Sequence, residues 1–498
     1  MSVAEVPSPS RGRAVLQGTV RLLSGQFLAR LVDMALYVVL ARRLGVSAFG
    51  AFTYAVSFTL LFNVATDLGL TTVFTREAAR TPEHTRTLLG HAIALKAALA
   101  PVTLGLVLGV AAMLHTPADT LALMAVLTVS MTLGSMAGLF EGLLRAQGRS
   151  GLVGVSIAAA SVTAFGVVLL ALRAGVTPWI AACAQLAAQI VHLAVALVTT
   201  RRAMATKDDA SRLVPATSRI ALLREALPLA LSWVFIALYF RIDAVMLHAM
   251  RDEHAVGLYG GIYRIFEAFA MLTMTFRSVL FPVLARAADG PTEALAVLCR
   301  KSLRLQWLFT VLVAVSFGFL SRPLLTRVLG PAYAEAATGL AVLVWALPGS
   351  FMADLLLHLL VAQRRQALGT WAVAATALLN VLLNLVLIPR ASYLGASAAT
   401  VVSEATCFTL LYLALRRHTP GVGFSRFAWR PLVAGGVVAL ALLLLVPRLP
   451  ADVPGLAAGF LVAGLVYVGV LAALGEFRGE GASLLAAIVP SRLRPGRG

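Results

Sequence analysis

The sequence predicts an all-α integral membrane protein of about 14 transmembrane helices: two six-helix repeats in parallel orientation and two extra C-terminal helices. Three observations predict it. The 498-residue chain is 60% hydrophobic and only 13% charged, with mean hydropathy +0.89, too apolar for a soluble protein of its length. Apolar runs long enough to cross a ~30 Å hydrocarbon core at ~1.5 Å per residue recur throughout, without the ten-residue alternation of a membrane barrel. Lysine and arginine also crowd into alternate connections, as the positive-inside rule requires.

Spans 1 to 6 are expected near 18–42, 49–75, 88–114, 119–145, 151–172 and 177–200. Spans 7 to 14 follow near 225–250, 255–284, 303–321, 335–362, 367–388, 394–415, 428–447 and 454–475. One side of the membrane carries Arg11, Arg13 and Arg21 around the start, then Arg76, Arg80 and Arg86, then Arg145 and Arg149. After span 6 it carries Arg201, Arg202, Lys207, Arg212, Arg219 and Arg224, and after span 8 Arg286, Arg300, Lys301 and Arg304. Arg364 and Arg365 follow span 10. Arg416, Arg417, Arg426 and Arg430 follow span 12, and Arg478, Arg492, Arg494 and Arg497 follow span 14. That side holds 28 cations and the other 8, namely Arg42, Arg43, Arg173, Arg251, Arg322, Arg327, Arg390 and Arg448. Both termini are therefore expected in the cytoplasm. The net charge of +19 describes topology, so no nucleic-acid partner is expected.

The expected divisions are a cytoplasmic tail (1–17), an N-terminal lobe of spans 1–6 (18–202), a cytoplasmic linker (203–224) and a C-terminal lobe of spans 7–12 (225–418). Spans 13 and 14 (426–475) and a second cytoplasmic tail (476–498) complete the chain. The start is polar and basic with no short apolar segment and cleavage site behind it, so span 1 is expected to stay in the membrane. Cys183, Cys299 and Cys407 lie far apart with no CxxC, and the eight histidines include no HExxH, so neither disulfides nor a metal site is expected. None of the three lysines follows a glycine, so there is no Walker A loop and no cofactor is implied.

The chain repeats itself. "LLRAQGRSGLVG" (143–154) resembles "LLVAQRRQALGT" (359–370), and "SAFGAFTYAVSF" (47–58) resembles "HAVGLYGGIYRI" (254–265). "TTRR" (199–202) at the end of span 6 falls near "LRRH" (415–418) at the end of span 12. Three matches in one order indicate duplication. A repeat of six spans starts both halves on the same side, about an axis along the membrane normal.

Twelve charged residues fall inside the predicted spans: Arg30, Asp33, Asp67, Lys96, Glu141, Arg241, Asp243, Arg264, Glu267, Arg277, Asp354 and Glu404. At roughly 2.5–3.5 kcal/mol each at a helix centre, lipid exposure of all would cost about 30 kcal/mol. Most must face protein or a water-filled cavity. Arg30, Arg241 and Arg264 lie eight to twelve residues from the outer ends of spans 1, 7 and 8, near the midplane. Lys96 and Arg277 lie nearer the cytoplasmic ends. Local pairing of Arg30 with Asp33 and of Arg264 with Glu267 is the alternative to ligand binding. Glu141 is expected to snorkel, and Asn63, Gln185, Gln189, Asn380 and Asn384 to bridge helices. In the ligand reading the five cations Arg30, Lys96, Arg241, Arg264 and Arg277 receive an anionic headgroup, because guanidinium forks match phosphate oxygens. Asp33, Asp67 and Asp243 are the candidates for coupling an ion.

"FRIDAVMLHAMRDEHAVGLYGGIYRIFE" (240–267), "LARRLGVSAFGAFTYA" (40–55), "LLTRVLGPAYAEAATGLAVLVWA" (324–346) and "LNLVLIPRASYLGASAAT" (383–400) resemble stretches of the oligosaccharide flippases of bacterial polysaccharide biosynthesis. The resemblance runs through residue 418. It implies the multidrug/oligosaccharidyl-lipid/polysaccharide exporter fold, MATE-like, with two bundles in a V working by alternating access in the bacterial cytoplasmic membrane. It also implies transport of undecaprenyl-diphosphate-linked oligosaccharide to the outer leaflet for surface polysaccharide. A polysaccharide polymerase or glycosyltransferases are then candidate partners for the basic loops. The lipid II flippases of peptidoglycan synthesis and the multidrug cation antiporters are the alternatives, the latter disfavoured by an arginine-lined midplane. An enzyme is not expected, since the longest outward connection, about 322–334, holds no pair of carboxylates for chemistry.

Overall fold

The computed structural model describes residues 9–204, 219–450 and 452–477, and among these every regular element is helical. The two tails and the 203–224 linker fall largely outside the described residues. In chain order the α-helices are α1 Pro9–Asp67, α2 Leu70–Arg80, α3 Thr85–Met113, α4 Ala118–Ala146, α5 Ser150–Ala171, α6 Pro178–Met204 and α7 Arg219–Met250. They continue with α8 Glu253–Ala288, α9 Thr292–Phe319, α10 Ser321–Val328, α11 Ala337–Leu343, α12 Ala346–Ala362, α13 Gln366–Arg416, α14 Ser425–Leu445 and α15 Val453–Ala473.

Ten described helices are long and apolar enough to cross a membrane, or 11 if the pair Pro331–Leu343 and Ala346–Ala362, bent by 46°, is one span. The chain is thus a multi-pass membrane protein. The expectation of 14 counts differently where a helix runs on through a bend. α1 has 59 residues and α13 has 51, roughly 88 and 76 Å of helix, each more than two crossings of the hydrocarbon core. Each breaks at one residue. Gly45 takes φ 76, which costs glycine little because it lacks a Cβ. Ser392 takes φ 50 three residues after Pro389, which supplies no backbone donor. Span 2 also ends earlier than expected: Leu68 and Gly69 both turn to positive φ, so α2 restarts at Leu70. Span 9 begins earlier than expected, at Thr292.

Packing divides the chain into two compact units, Met1–Gly257 and Leu258–Gly498. In the first, α5 lies against α1 and α6, and α4 against α6. The α1–α5 approach depends on glycine: a Cβ on Gly25 would stand 2.5 Å from the Gly154 carbonyl oxygen, and one on Gly154 would stand 2.8 Å from that of Arg21. Small residues let helix backbones meet where lipid provides no hydrophobic drive. α7 belongs to this unit by packing. Its Leu222 and Ala226 join Leu70, Val73 and Phe74 of α2 in one buried cluster, and His248 stacks on Tyr54 of α1 with ring centroids 3.6 Å apart. A boundary drawn by packing therefore follows α7, whereas the one drawn by sequence repeat precedes it.

In the second unit, α12 packs on α13 and α9 around Leu303, Leu356, Leu359 and Leu411. The helices outside the sequence repeat, α14 and α15, pack together and onto α9 through Val311, Val315, Val438, Leu442 and Tyr467. A buried charge network closes this seam. Arg304 donates from Nε to Glu476 Oε1 at 2.5 Å and from a terminal nitrogen to the Glu476 carbonyl at 2.8 Å, and Arg430 reaches Glu476 Oε2 at 3.2 Å.

Candidate functional site

In the first unit Arg30 is exposed on α1 and, among the described residues, makes no ion pair. Its neighbours on that face are Phe27, Leu31 and Met34, all exposed and apolar. Asp33, a turn further on, is half-buried and engaged within the structure. α7 packs on α1 and carries Arg241, half-buried and likewise engaged, and Asp243, only 4% exposed. Two residues apart on a helix, Arg241 and Asp243 point to different faces, which explains their unequal burial.

Lys96 and Asp67 form a closed arrangement. Lys96, on α3, is 0% exposed, and its ammonium lies 2.6 Å from Asp67 Oδ1. It also donates to Thr71 Oγ1 at 2.9 Å, to the Ser135 carbonyl at 2.6 Å and to Ser135 Oγ at 2.7 Å. Thr71 in turn donates to Asp67. An ammonium has three protons, so its donors are all used. The break at Leu68 and Gly69 offsets α2 from α1, and these two ends bring Asp67 and Thr71 to one side of Lys96. Lys96 is thus placed as an internal cation, away from any open headgroup surface in this structure.

The second unit holds two more of the predicted cations. Arg264 pairs with Glu267 one turn on, at 2.7 Å, the local alternative read from their spacing. Arg277, on α8, reaches across to α12, where its NH1 lies 3.3 Å from Asp354 Oδ1 and 3.4 Å from His358 Nε2. A shallow recess opens here, lined by Arg277, Phe281, Gln306, Asp354 and His358 among others.

Sequence reasoning misplaced Glu141 and did not single out His358 or Gln306. Glu141 does not snorkel: it is 5% exposed and receives bonds from Ser156 at 2.9 Å, His192 at 2.8 Å and Arg145 at 3.0 Å. Ser156 of α5, His192 of α6 and Arg145 one turn on along α4 satisfy the carboxylate inside the protein, so it has no need to reach the interface. The signal for His358 was its place four residues after Asp354 on one helical face; Gln306 had no signal of that kind. Among the described residues no group of three or more His, Cys, Asp and Glu side chains is placed to hold a metal ion.

Each unit thus carries intramembrane charge that is largely compensated from within, while Arg30, on an exposed helix face, makes no ion pair among the described residues. No curated protein matches the chain by sequence. Its fold does match solved structures. A structure titled lipid II flippase MurJ, inward closed conformation, aligns at TM-score 0.74 and 14% identity, covering 92% of this chain and 99% of that one. An inward-facing multidrug resistance MATE family transporter of the MOP superfamily aligns at TM-score 0.66 and 14% identity, covering 81% and 98%. A MOP superfamily transporter from Pyrococcus furiosus, whose title notes the reverse polarity of its binding pocket, aligns at TM-score 0.57 and 14% identity, covering 82% and 96%. At such identity these matches establish the fold alone, which is MATE-like. Residues 15–288 match the family model described as polysaccharide biosynthesis protein, more than half of the chain, and the chain belongs to that family.

Proposed function

We propose that this protein is a flippase that carries undecaprenyl-diphosphate-linked oligosaccharide from the inner to the outer leaflet of the bacterial cytoplasmic membrane, by alternating access, for surface polysaccharide. The observation that carries the reading is Arg30. Lys96, Arg264 and Arg277 each have a carboxylate partner, whereas Arg30 makes no ion pair among the described residues although it sits within a membrane-spanning stretch. Such a cation is costly in hydrocarbon unless a ligand anion meets it. Arg30 makes the first contact with the diphosphate together with Arg241 of α7, which packs on α1; within the second unit Arg264 offers the headgroup a cation by exchanging Glu267 for phosphate. Arg277 and Lys96 stay with Asp354 and Asp67 and support the helices around the site.

An inside-negative potential favours outward movement of the anion. Two negative charges moving across 100 mV gain roughly 4–5 kcal/mol. Asp67, Asp33 and Asp243 remain the carboxylates proposed to couple an ion. A second reading, lipid II transport, draws on the 92% coverage in the MurJ match. Its cargo is also a lipid diphosphate, so the same cations serve.

The test is reconstitution of the full chain in liposomes holding either fluorescent lipid-linked oligosaccharide or lipid II. Outer-leaflet exposure is read by a reagent that cannot cross the bilayer. Movement of the oligosaccharide and its loss in Arg30→Ala support the reading. Movement of lipid II alone moves the protein to the second reading, and movement of neither sinks both.

A further inference from the structure

The seam that holds α14 and α15 on α9 carries more positive charge than it neutralises. Arg304 of α9 and Arg430 of α14 share one carboxylate, that of Glu476 just beyond α15, whose side chain is 1% exposed. Among the described residues neither arginine makes any other ion pair. Two guanidiniums against one carboxylate leave one unit of positive charge over.

The two arginines are not equally served. Arg304 is buried and donates from Nε to the Glu476 carboxylate and from NH2 to the Glu476 carbonyl. Arg430 keeps 32% side-chain exposure. Its bonds, to Glu476 Oε2 at 3.2 Å and to the Gly475 carbonyl at 3.4 Å, both leave from NH1. Its Nε is buried with no acceptor, and NH2 donates to none among the described residues. A guanidinium carries five N–H donors, so most of those on Arg430 go unanswered. Nε and NH2 form one edge of the group, the fork that a phosphate engages with two oxygens.

The surroundings place this edge at a membrane boundary. Arg430 lies in the first turn of the apolar stretch Phe427–Arg448. The Trp429 ring beside it is 49% exposed, with the guanidinium carbon 5.6 Å from its centroid. Exposed tryptophan favours the level of the lipid headgroups. Trp307 of α9 donates to the Ala428 carbonyl at 2.9 Å and so holds the start of α14 in place. From Trp429 an exposed apolar ridge of Val433, Val437, Leu440 and Leu444 follows one face of α14 for roughly 22 Å. That exceeds the ~15 Å of hydrocarbon in one leaflet. A lipid of any charge fits such a ridge, but only an anionic headgroup answers Arg430.

We propose that Arg430 and Trp429 bind an anionic phospholipid of the phosphatidylglycerol class, from the leaflet on the cation-rich side of the chain, with an acyl chain along the α14 ridge. The phosphate accepts from the unanswered edge of Arg430, and its charge offsets the unit that Glu476 leaves over. A zwitterionic headgroup brings a cation of its own, so the cluster stays charged beneath it. The bound lipid then fastens to the bilayer the two helices that stand outside the sequence repeat. None of the cations assigned to the transported headgroup lies on these helices, so the site does not rest on the flippase reading.

The test is tryptophan quenching of the full chain in phosphatidylcholine nanodiscs that contain increasing brominated phosphatidylglycerol or brominated phosphatidylcholine. The share of Trp429 is the difference between wild type and Trp429→Phe. Quenching of Trp429 is expected at an about five- to tenfold lower mole fraction of the glycerol lipid. Arg430→Gln should make the two lipids equal, and Arg430→Lys should keep part of the preference. Arg430→Gln leaves Arg304 and Glu476 as a complete pair, so no charge is stranded and the fold should hold. Equal quenching in wild type, or a preference unchanged in Arg430→Gln, overturns the proposal. So does displacement by excess inorganic phosphate, which would make this a site for a soluble anion, or by undecaprenyl diphosphate, which would give it to the cargo. A preference that emerges only in Glu480→Gln would mean that a carboxylate of the C-terminal tail takes this edge, and also overturns it.

Discussion

The Lys96 ammonium lies 2.6 Å from Asp67 Oδ1, wholly enclosed on the lysine side and 28% exposed on the aspartate side. That asymmetry predicts unequal mutants. Asp67→Asn strands a buried charge and is expected to cost about 3–5 kcal/mol, whereas Lys96→Met leaves a carboxylate that water still reaches and costs less. Thermal unfolding of the purified protein in detergent compares them. Equal losses would show that the pair is not held as described.

Arg30→Ala is expected to leave the unfolding temperature within a few degrees of wild type and to lower transport. A hydrogen bond to a charged group contributes about 1.5–3 kcal/mol, so the initial rate in liposomes should fall roughly ten- to 150-fold. Arg30→Lys should restore part of it, and Arg30→Glu none.

Glu476 joins Arg304 and Arg430 at 1% side-chain exposure. Glu476→Ala leaves Arg304 buried without its partner, for an expected loss of about 3–5 kcal/mol. The loss should be local. Hydrogen exchange should rise in 425–473, where α14 and α15 rest on α9, and not in 85–204. A uniform rise would mean that the seam is not an independent element.

Two glycines on α5 should behave oppositely. Gly154→Val drives side-chain carbon into the α1 backbone and is expected to cost about 1–3 kcal/mol. A Cβ on Gly166 meets nothing within 4 Å, so Gly166→Ala should be neutral or stabilising by up to about 1 kcal/mol. Stability in detergent measures both.

The sequence by itself determined that this is an all-helical, multi-pass membrane protein, because hydrocarbon accepts only backbone that bonds to itself and so writes each crossing as a long apolar run. It also marked the charges in those runs as the residues to watch, because each is expensive there. The Arg264–Glu267 pair was legible too, since both ends sit on one helix one turn apart. Partnership across helices was left to the tertiary structure. Lys96 finds Asp67, Thr71 and Ser135 only where a break at Leu68 and Gly69 offsets α2 from α1. Arg277 finds Asp354 only where α8 meets α12, 77 positions away along the chain. Likewise Glu141 takes Ser156 from α5 and His192 from α6 as donors. Local spacing reports which residues share a helix face, but which faces meet is decided by glycine contacts and kinks, and a one-dimensional pattern of hydropathy carries almost none of that information.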